Sequence, residues 1–175
     1  INKSIVSSIQ QAGGRAVGIS GKDGNLMIAE RLTKKKTDPA TGETVEIDFG
    51  FVGEPVNVRL GMLRAVVGSG AEPSLACGGI APGGQGVNIN GDSATRAVVA
   101  ALQPLKVIFL TGTGGLLDKH KRLMHSINLA SDYEKLMKAD WVNGGMRLKL
   151  AEIKKLLDAL PLTSSVSITT PQGLV

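Results

Sequence analysis

The sequence predicts an α/β fold, a three-layer αβα sandwich on a mostly parallel central sheet, with one β-hairpin excursion. Three observations predict it. Short apolar runs alternate with amphipathic segments along the chain. The stretch 105–110 is continuously apolar, as strands buried in parallel sheets are. Only Val45, Ile47 and Phe49 alternate with acidic residues, which marks a half-exposed strand of a hairpin.

Each element follows from its residues. Ile5, Ile9 and Ala12 recur at helical spacing over 2–12, and Gly13-Gly14 ends that helix. Residues 16–19 form a short strand, closed by the turn Ser20-Gly21-Lys22-Asp23-Gly24. Residues 26–32 read as the next strand, followed by a polar excursion with turn signals at Asp38-Pro39 and Thr41-Gly42. Gly53-Glu54-Pro55 reads as a chain break, and 57–68 as a helix with Val58, Met62, Leu63 and Val66 on one side. Residues 74–80 form a small-residue strand before the Gly83-Gly84 turn. An Ala/Val-rich helix spans about 93–103, and a short helix spans 131–138. Over 145–160, Met146, Leu150, Ile153, Leu157 and Leu160 line one helix face. Residues 165–169 are the last strand.

Composition narrows the function classes. The chain has 175 residues, 42% hydrophobic and 20% charged, which is globular rather than disordered or collagenous. It is read as one partial domain, 1–175, lacking a start methionine. A single cysteine, Cys77, forms no intrachain disulfide and reads as a small core residue. With two histidines it builds no ordinary zinc site, so no metal ligands are assigned. His120 and His125 read as solvated or structural. No apolar run spans a bilayer, and the N-terminus lacks the pattern of a signal peptide. The net charge of +5 is spread along the chain, and aromatic residues make up only 3%, so neither nucleic acid nor membrane is an expected partner.

Three motifs could carry chemistry, and each also has a plain structural reading. In Asn88-Ile89-Asn90-Gly91-Asp92, alternation puts Asn88 and Asn90 on one side of an extended segment, with Asp92 at a helix start. That is a turn with an N-cap, or a strand end presenting two amides to a ligand. The loop Thr111-Gly112-Thr113-Gly114-Gly115 follows a strand and is either a tight turn or a phosphate cradle. It is not a Walker A loop, because no Gly-Lys-Ser/Thr follows. Lys149 lies close to the start of the 145–160 helix. It is either a solvated cation beside Lys154 and Lys155, or one whose unfavourable place on the helix dipole a phosphate would offset.

Taken in order, these motifs resemble the amino acid kinase family, in particular its branch acting on N-acetyl-L-glutamate. The matching segments are 88–92, 110–118 and 143–149, supported by 16–23 and 50–55. The loop 110–117 and the tail 160–169 resemble the kinase domain of bifunctional acetylglutamate synthase/kinases. The resemblance implies ATP-dependent phosphorylation of the side-chain carboxylate of N-acetyl-L-glutamate in arginine biosynthesis, with Mg2+ carried by the nucleotide. It also implies arginine as feedback inhibitor, a homo-oligomeric full-length protein, and a cytoplasmic location (mitochondrial matrix in a fungus). The alternative it implies is an arginine-sensing, kinase-like regulatory domain of an N-acetylglutamate synthase.

By the same resemblance, Asn88 and Asn90 hold the acceptor, with Asn90 on its α-carboxylate. Lys149 meets the ATP phosphates and is catalytic, Asp92 orients lysines, and Thr111, Gly112, Thr113, Gly114 and Gly115 line the nucleotide site. The chain has Gly112 where many acetylglutamate kinases have Asp or Asn. It also lacks the family's opening Lys-Gly-Gly loop, its second glycine-rich loop and its closing Gly-x-Gly-Thr segment. The 175 residues alone are therefore expected to be truncated at both ends and inactive.

Overall fold

The computed structural model describes residues 1–112, 114–124, 126–142 and 144–174. It is a mixed α/β protein, and among the described residues its strands form three sheets. The chain divides into two compact units, 1–101 and 102–175.

In the first unit, α1 (Asn2–Gln11) lies against a parallel pair, β1 (Ala16–Ser20) and β4 (Glu72–Ala76), with Ser20 opposite Ala76 at the carboxyl ends. Asn2 Nδ2 donates to the Ser74 carbonyl at 2.7 Å and Lys3 Nζ to the Gly18 carbonyl at 2.6 Å, which fixes the helix on both strands. β2 (Met27–Thr37) and β3 (Thr44–Val58) form a long antiparallel hairpin. The expected polar excursion is itself strand: Lys35 faces Glu46 across the ladder, and opposite charges directly opposed stabilise a strand pair. The break expected at Gly53-Glu54-Pro55 is absent too, since β3 runs through it. Pro55 falls beside a register shift between Ile28 and Ala29, where a missing N–H costs little. α2 (Gly61–Gly68) consequently starts later than its spacing predicted.

The predicted strand 74–80 divides into β4 and β5 (Gly78–Ile80), which belong to different sheets. β5 pairs antiparallel with β6 (Gly86–Ile89) through a tight turn that holds Gly83 at φ +78°. β2, β3, β6 and β5 close on themselves as a small barrel, and α3 (Gly91–Leu102) follows β6. The core of this unit is Ile19, Leu26, Met27, Ala29, Leu63, Ala81, Val87, Ile89 and Ala94. Cys77, at the junction of β4 and β5, is exposed, not the core residue expected from its type.

In the second unit, β7 (Lys106–Leu110) and β8 (Ser165–Thr169) are a parallel pair from Lys106↔Ser165 to Leu110↔Thr169. β7 is not buried on both faces as its apolar run suggested, because Ile108 and Leu110 are exposed. α4 (Leu129–Lys138) and α5 (Gly144–Asp158) pack over Leu116, Leu136, Val142, Leu150 and Ile153. Between β7 and α4, Asp118 organises a turn, its Oδ1 accepting the backbone N–H groups of Arg122 and His120 while Oδ2 pairs with the Arg122 guanidinium. No helix among the described residues is long and apolar enough to cross a membrane.

Two outcomes follow for stability. A Cβ at Gly79 would lie 2.6 Å from Ile89 Cδ1 and 3.0 Å from the Met27 carbonyl oxygen. Gly79→Ala is expected to cost about 1–3 kcal/mol by overpacking. Gly61→Ala, where nothing lies within 4 Å, is expected to change stability by less than about 1 kcal/mol. Urea unfolding of both variants checks this, and equal midpoints would contradict the barrel packing. The second outcome concerns pH. The Arg122 backbone N–H, then the His120 N–H and the Arg122 guanidinium, hold the Asp118 carboxyl below its ordinary value of 3.8, against an opposing effect of burial. A depressed folded-state value adds stability above the unfolded value and loses it as pH falls through the folded one. The stability advantage of the protein over Asp118→Asn should be present at pH 7 and vanish below the ordinary carboxylate range. An advantage independent of pH would rule out this charge effect.

Candidate functional site

The first unit carries a cavity of about 430 Å³ at the carboxyl ends of β1 and β4. Its walls are Ser20, Lys22, Ala76, Cys77 and Gly78, Phe51 of β3, and Gln85 to Asn88. Crevices at strand carboxyl ends are where α/β sheets bind ligands. β6 alternates as predicted: Val87 and Ile89 are 1% and 2% exposed, and Asn88 and Asn90 face outward. Asn88 lines the cavity, and its side-chain amide has no hydrogen-bond partner among the described residues.

Asn90 serves the helix. Its Oδ1 accepts the Asp92 N–H at 2.8 Å and the Ser93 N–H at 3.4 Å, and its carbonyl accepts the Ala94 N–H. The cap is thus Asn90 rather than Asp92, since a cap residue satisfies the N–H groups two and three positions ahead. Asp92 is exposed in the first turn of α3, where the dipole favours an anion. It makes no ion pair among the described residues. Glu54, read from sequence as part of a break, ties β3 to this helix start. It accepts from Ser93 Oγ at 3.1 Å and pairs with Arg96 at 2.9 Å. Its signal was an acidic residue in a strand beside a helix carrying Ser and Arg at i and i+3.

The second unit carries a cavity of about 400 Å³. Gly115 and Leu116 after β7, Ile168 of β8, and Met146, Lys149 and Leu150 of α5 help to form it. In the loop after β7, Thr111 N–H donates to the Thr169 carbonyl at 2.8 Å, and Gly114 N–H to Thr111 Oγ1 at 3.1 Å. Gly114 sits at φ +73°, a conformation that favours glycine. Gly112 has open space where a side chain would stand. Thr113 lies outside the described residues, as does His125.

Lys149 is the sixth residue of α5, half-buried on the cavity wall. On the same helix Lys154 pairs with Asp158 and Lys155 with Glu152. Lys149 has no carboxylate within ion-pair distance among the described residues. Lys154 and Lys155 form the paired surface, while Lys149 lies on the wall of a cavity that Met146, Leu150 and Ile168 also line.

Sequence reasoning gave no role to Lys22 or Phe51. A lysine in a glycine-bracketed turn directly after a strand was the available signal for the first; for Phe51 there was none, because its place on the wall depends on the β3–β6 pairing.

Comparison with known proteins agrees with this layout. The chain is 44% identical over 173 residues to the acetylglutamate kinase of Xanthomonas campestris, covering 99% of this chain and 37% of that protein. It is 42% identical over 173 residues to that of Xylella fastidiosa, covering 99% and 38%. Among solved structures, a Streptococcus mutans protein superposes with a TM-score of 0.73 at 24% identity, covering 95% of this chain and 62% of that one. N-acetylglutamate synthase from Neisseria gonorrhoeae, complexed with coenzyme A and L-arginine, superposes with a TM-score of 0.67 at 17% identity, covering 90% and 32%. These likenesses show the fold. The chain thus spans little more than a third of the two curated relatives. A model of the amino acid kinase family matches residues 1–162, and with relatives above 40% identity over nearly its whole length the chain belongs to that family.

Proposed function

We propose that the protein carrying this chain is an N-acetyl-L-glutamate kinase, transferring the terminal phosphoryl group of ATP to the acceptor's side-chain carboxylate. The observation that carries the reading is Lys149, a half-buried cation on a cavity wall with no ion-pair partner among the described residues, on a helix whose neighbouring lysines are paired. The named relatives supply the acceptor.

The chemistry suits the groups present. The acceptor carboxylate is ionised at neutral pH, so its oxygen attacks phosphorus without a general base. The bond from the terminal phosphorus to the bridging oxygen breaks, ADP leaves, and an acyl phosphate forms. Catalysis is then positioning and charge stabilisation, with magnesium borne by the nucleotide. Lys149 stabilises charge on the phosphates. Thr111, Gly112, Thr113, Gly114 and Gly115 line the nucleotide side. Asn88 and Asn90 hold the acceptor through amide N–H groups; Asn90 keeps Nδ2 for this, because its cap uses Oδ1. Asp92 orients lysines. The family match runs across both compact units, which supports reading them as parts of one longer domain. In this reading the protein is cytoplasmic and homo-oligomeric, with arginine as its feedback ligand.

In the full-length protein, ATP-dependent acyl-hydroxamate formation from N-acetylglutamate tests the assignment. Lys149→Ala should lower kcat by about 10²–10³-fold, the loss typical of one charge-stabilising donor. A change below tenfold would remove Lys149 from the chemistry. No product from the folded wild-type protein would sink the kinase reading and leave arginine sensing in an acetyl-CoA-dependent synthase.

A further inference from the structure

We infer that Glu54 is a positioning residue for the phosphoryl transfer: it holds the Arg96 guanidinium away from Asp92, and so keeps the Asp92 carboxylate open to the lysines of the site. This rests on the kinase reading above, in which Asp92 orients lysines. Both carboxylate oxygens of Glu54 are engaged on α3. Oε2 accepts from Ser93 Oγ at 3.1 Å, and Oε1 accepts from the Arg96 guanidinium at 2.9 Å. Arg96 is the only cation in the sequence of α3. Asp92, in the first turn of the same helix, makes no ion pair among the described residues.

That open carboxylate needs a reason. Asp92 and Arg96 stand four residues apart on one helix with the acid first, the arrangement that favours a pair across one turn. On α5 the same spacing closes as a pair in the less favourable order, between Lys154 and Asp158. On α3 it stays open, because Arg96 turns to β3 instead. Glu54 does little for the strand that carries it. It faces Glu30 across the β2–β3 ladder, and like charges directly opposed destabilise a strand pair. Its own pair with Arg96 is partly exposed, and such pairs add little stability. Its place is nevertheless fixed. Gly53, the residue before it, pairs with Ile89 of β6, and a Cβ there would lie 2.7 Å from Val87 Cγ2. The packed barrel thus delivers the Glu54 carboxylate to the start of α3.

A carboxylate that orients lysines must not be spent on an arginine. A guanidinium takes both oxygens of a carboxylate at once, so an Arg96–Asp92 pair would exclude an ammonium from the same group. Lysines that stabilise charge on the moving phosphoryl group would then lose the contact that holds them in place. Glu54 prevents this by giving Arg96 a second carboxylate. Its charge therefore acts through kcat, and KM for the acceptor, which Asn88 and Asn90 hold, is little affected.

The test compares full-length wild type, Glu54→Gln, Arg96→Gln and the double variant in the acyl-hydroxamate assay. Glu54→Gln keeps an oxygen for Ser93 and removes the charge that holds Arg96. Its kcat should fall about two- to sixfold, the share of molecules that an exposed ion pair diverts, with KM for N-acetylglutamate changed less than about twofold. Arg96→Gln and the double variant should keep kcat within about 1.5-fold of wild type, because no cation of α3 then competes for Asp92. A purely structural tie predicts otherwise: losing either partner lowers kcat alike, and the double variant is no better than Glu54→Gln. That result, or an unchanged kcat in Glu54→Gln, would overturn the inference. The crystal structure of Glu54→Gln gives a readout independent of turnover. The Arg96 guanidinium should lie within about 4 Å of the Asp92 carboxylate, and a guanidinium that stays away from Asp92 would overturn the inference whatever the kinetics. No product from wild type, with Arg96 on Asp92 in the variant, would sink the kinase reading and uphold the hold of Glu54 on Arg96.

Discussion

The interior of the four-stranded barrel has no spare volume, and much of the first unit depends on that. Met27, Ala29, Val87 and Ile89 fill it so completely that Gly53 and Gly79 have no room for a side chain. Close packing of this kind transmits any added atom to its neighbours. Because Val87 and Ile89 must point inward, the period of two along β6 forces Asn88 and Asn90 outward. The outward amides are a consequence of the core. The same strand end leaves the first helical N–H groups of α3 to be capped, and Asn90 meets that need.

Part of the surface charge is paired. The exposed hairpin sets Lys35 opposite Glu46 and Arg31 beside Asp48. The outer face of α5 pairs its later lysines with Asp158 and Glu152. Exposed pairs like these contribute little to stability, roughly 0–1 kcal/mol each. Lys22 and Lys149 are cations on the two cavity walls with no carboxylate within ion-pair distance among the described residues. Each sits on a cavity wall within its own unit, and each is set by a strand end or helix start fixed through backbone hydrogen bonds.

Much of the element order was legible without tertiary structure. The helix on 145–160, the strand 165–169 and the glycine stop after the first helix follow from local periodicity and turn chemistry, and the structure places them within one or two residues. The misreadings share one cause. Gly53-Glu54-Pro55 looks like a break because Gly and Pro are poor strand formers, yet pairing on both sides of β3 outweighs propensity. The stretch 74–80 looks like one strand, but its two halves serve different sheets. Cys77 looks like a core residue by type and is exposed because it sits at that junction.

The sequence by itself determined the α/β class, the outward pair Asn88 and Asn90, and the order of motifs that marks an amino acid kinase, because periods of two and near four and glycine turns are local properties. The tertiary structure decided which residues have spare capacity for a ligand. Which side chains share a cavity wall, and whether a cysteine is covered, depend on residues far away in the chain. Lys154 has Asp158 one helical turn ahead, a local property, whereas the place of Lys149 on a wall with Gly115 and Ile168 is set by packing.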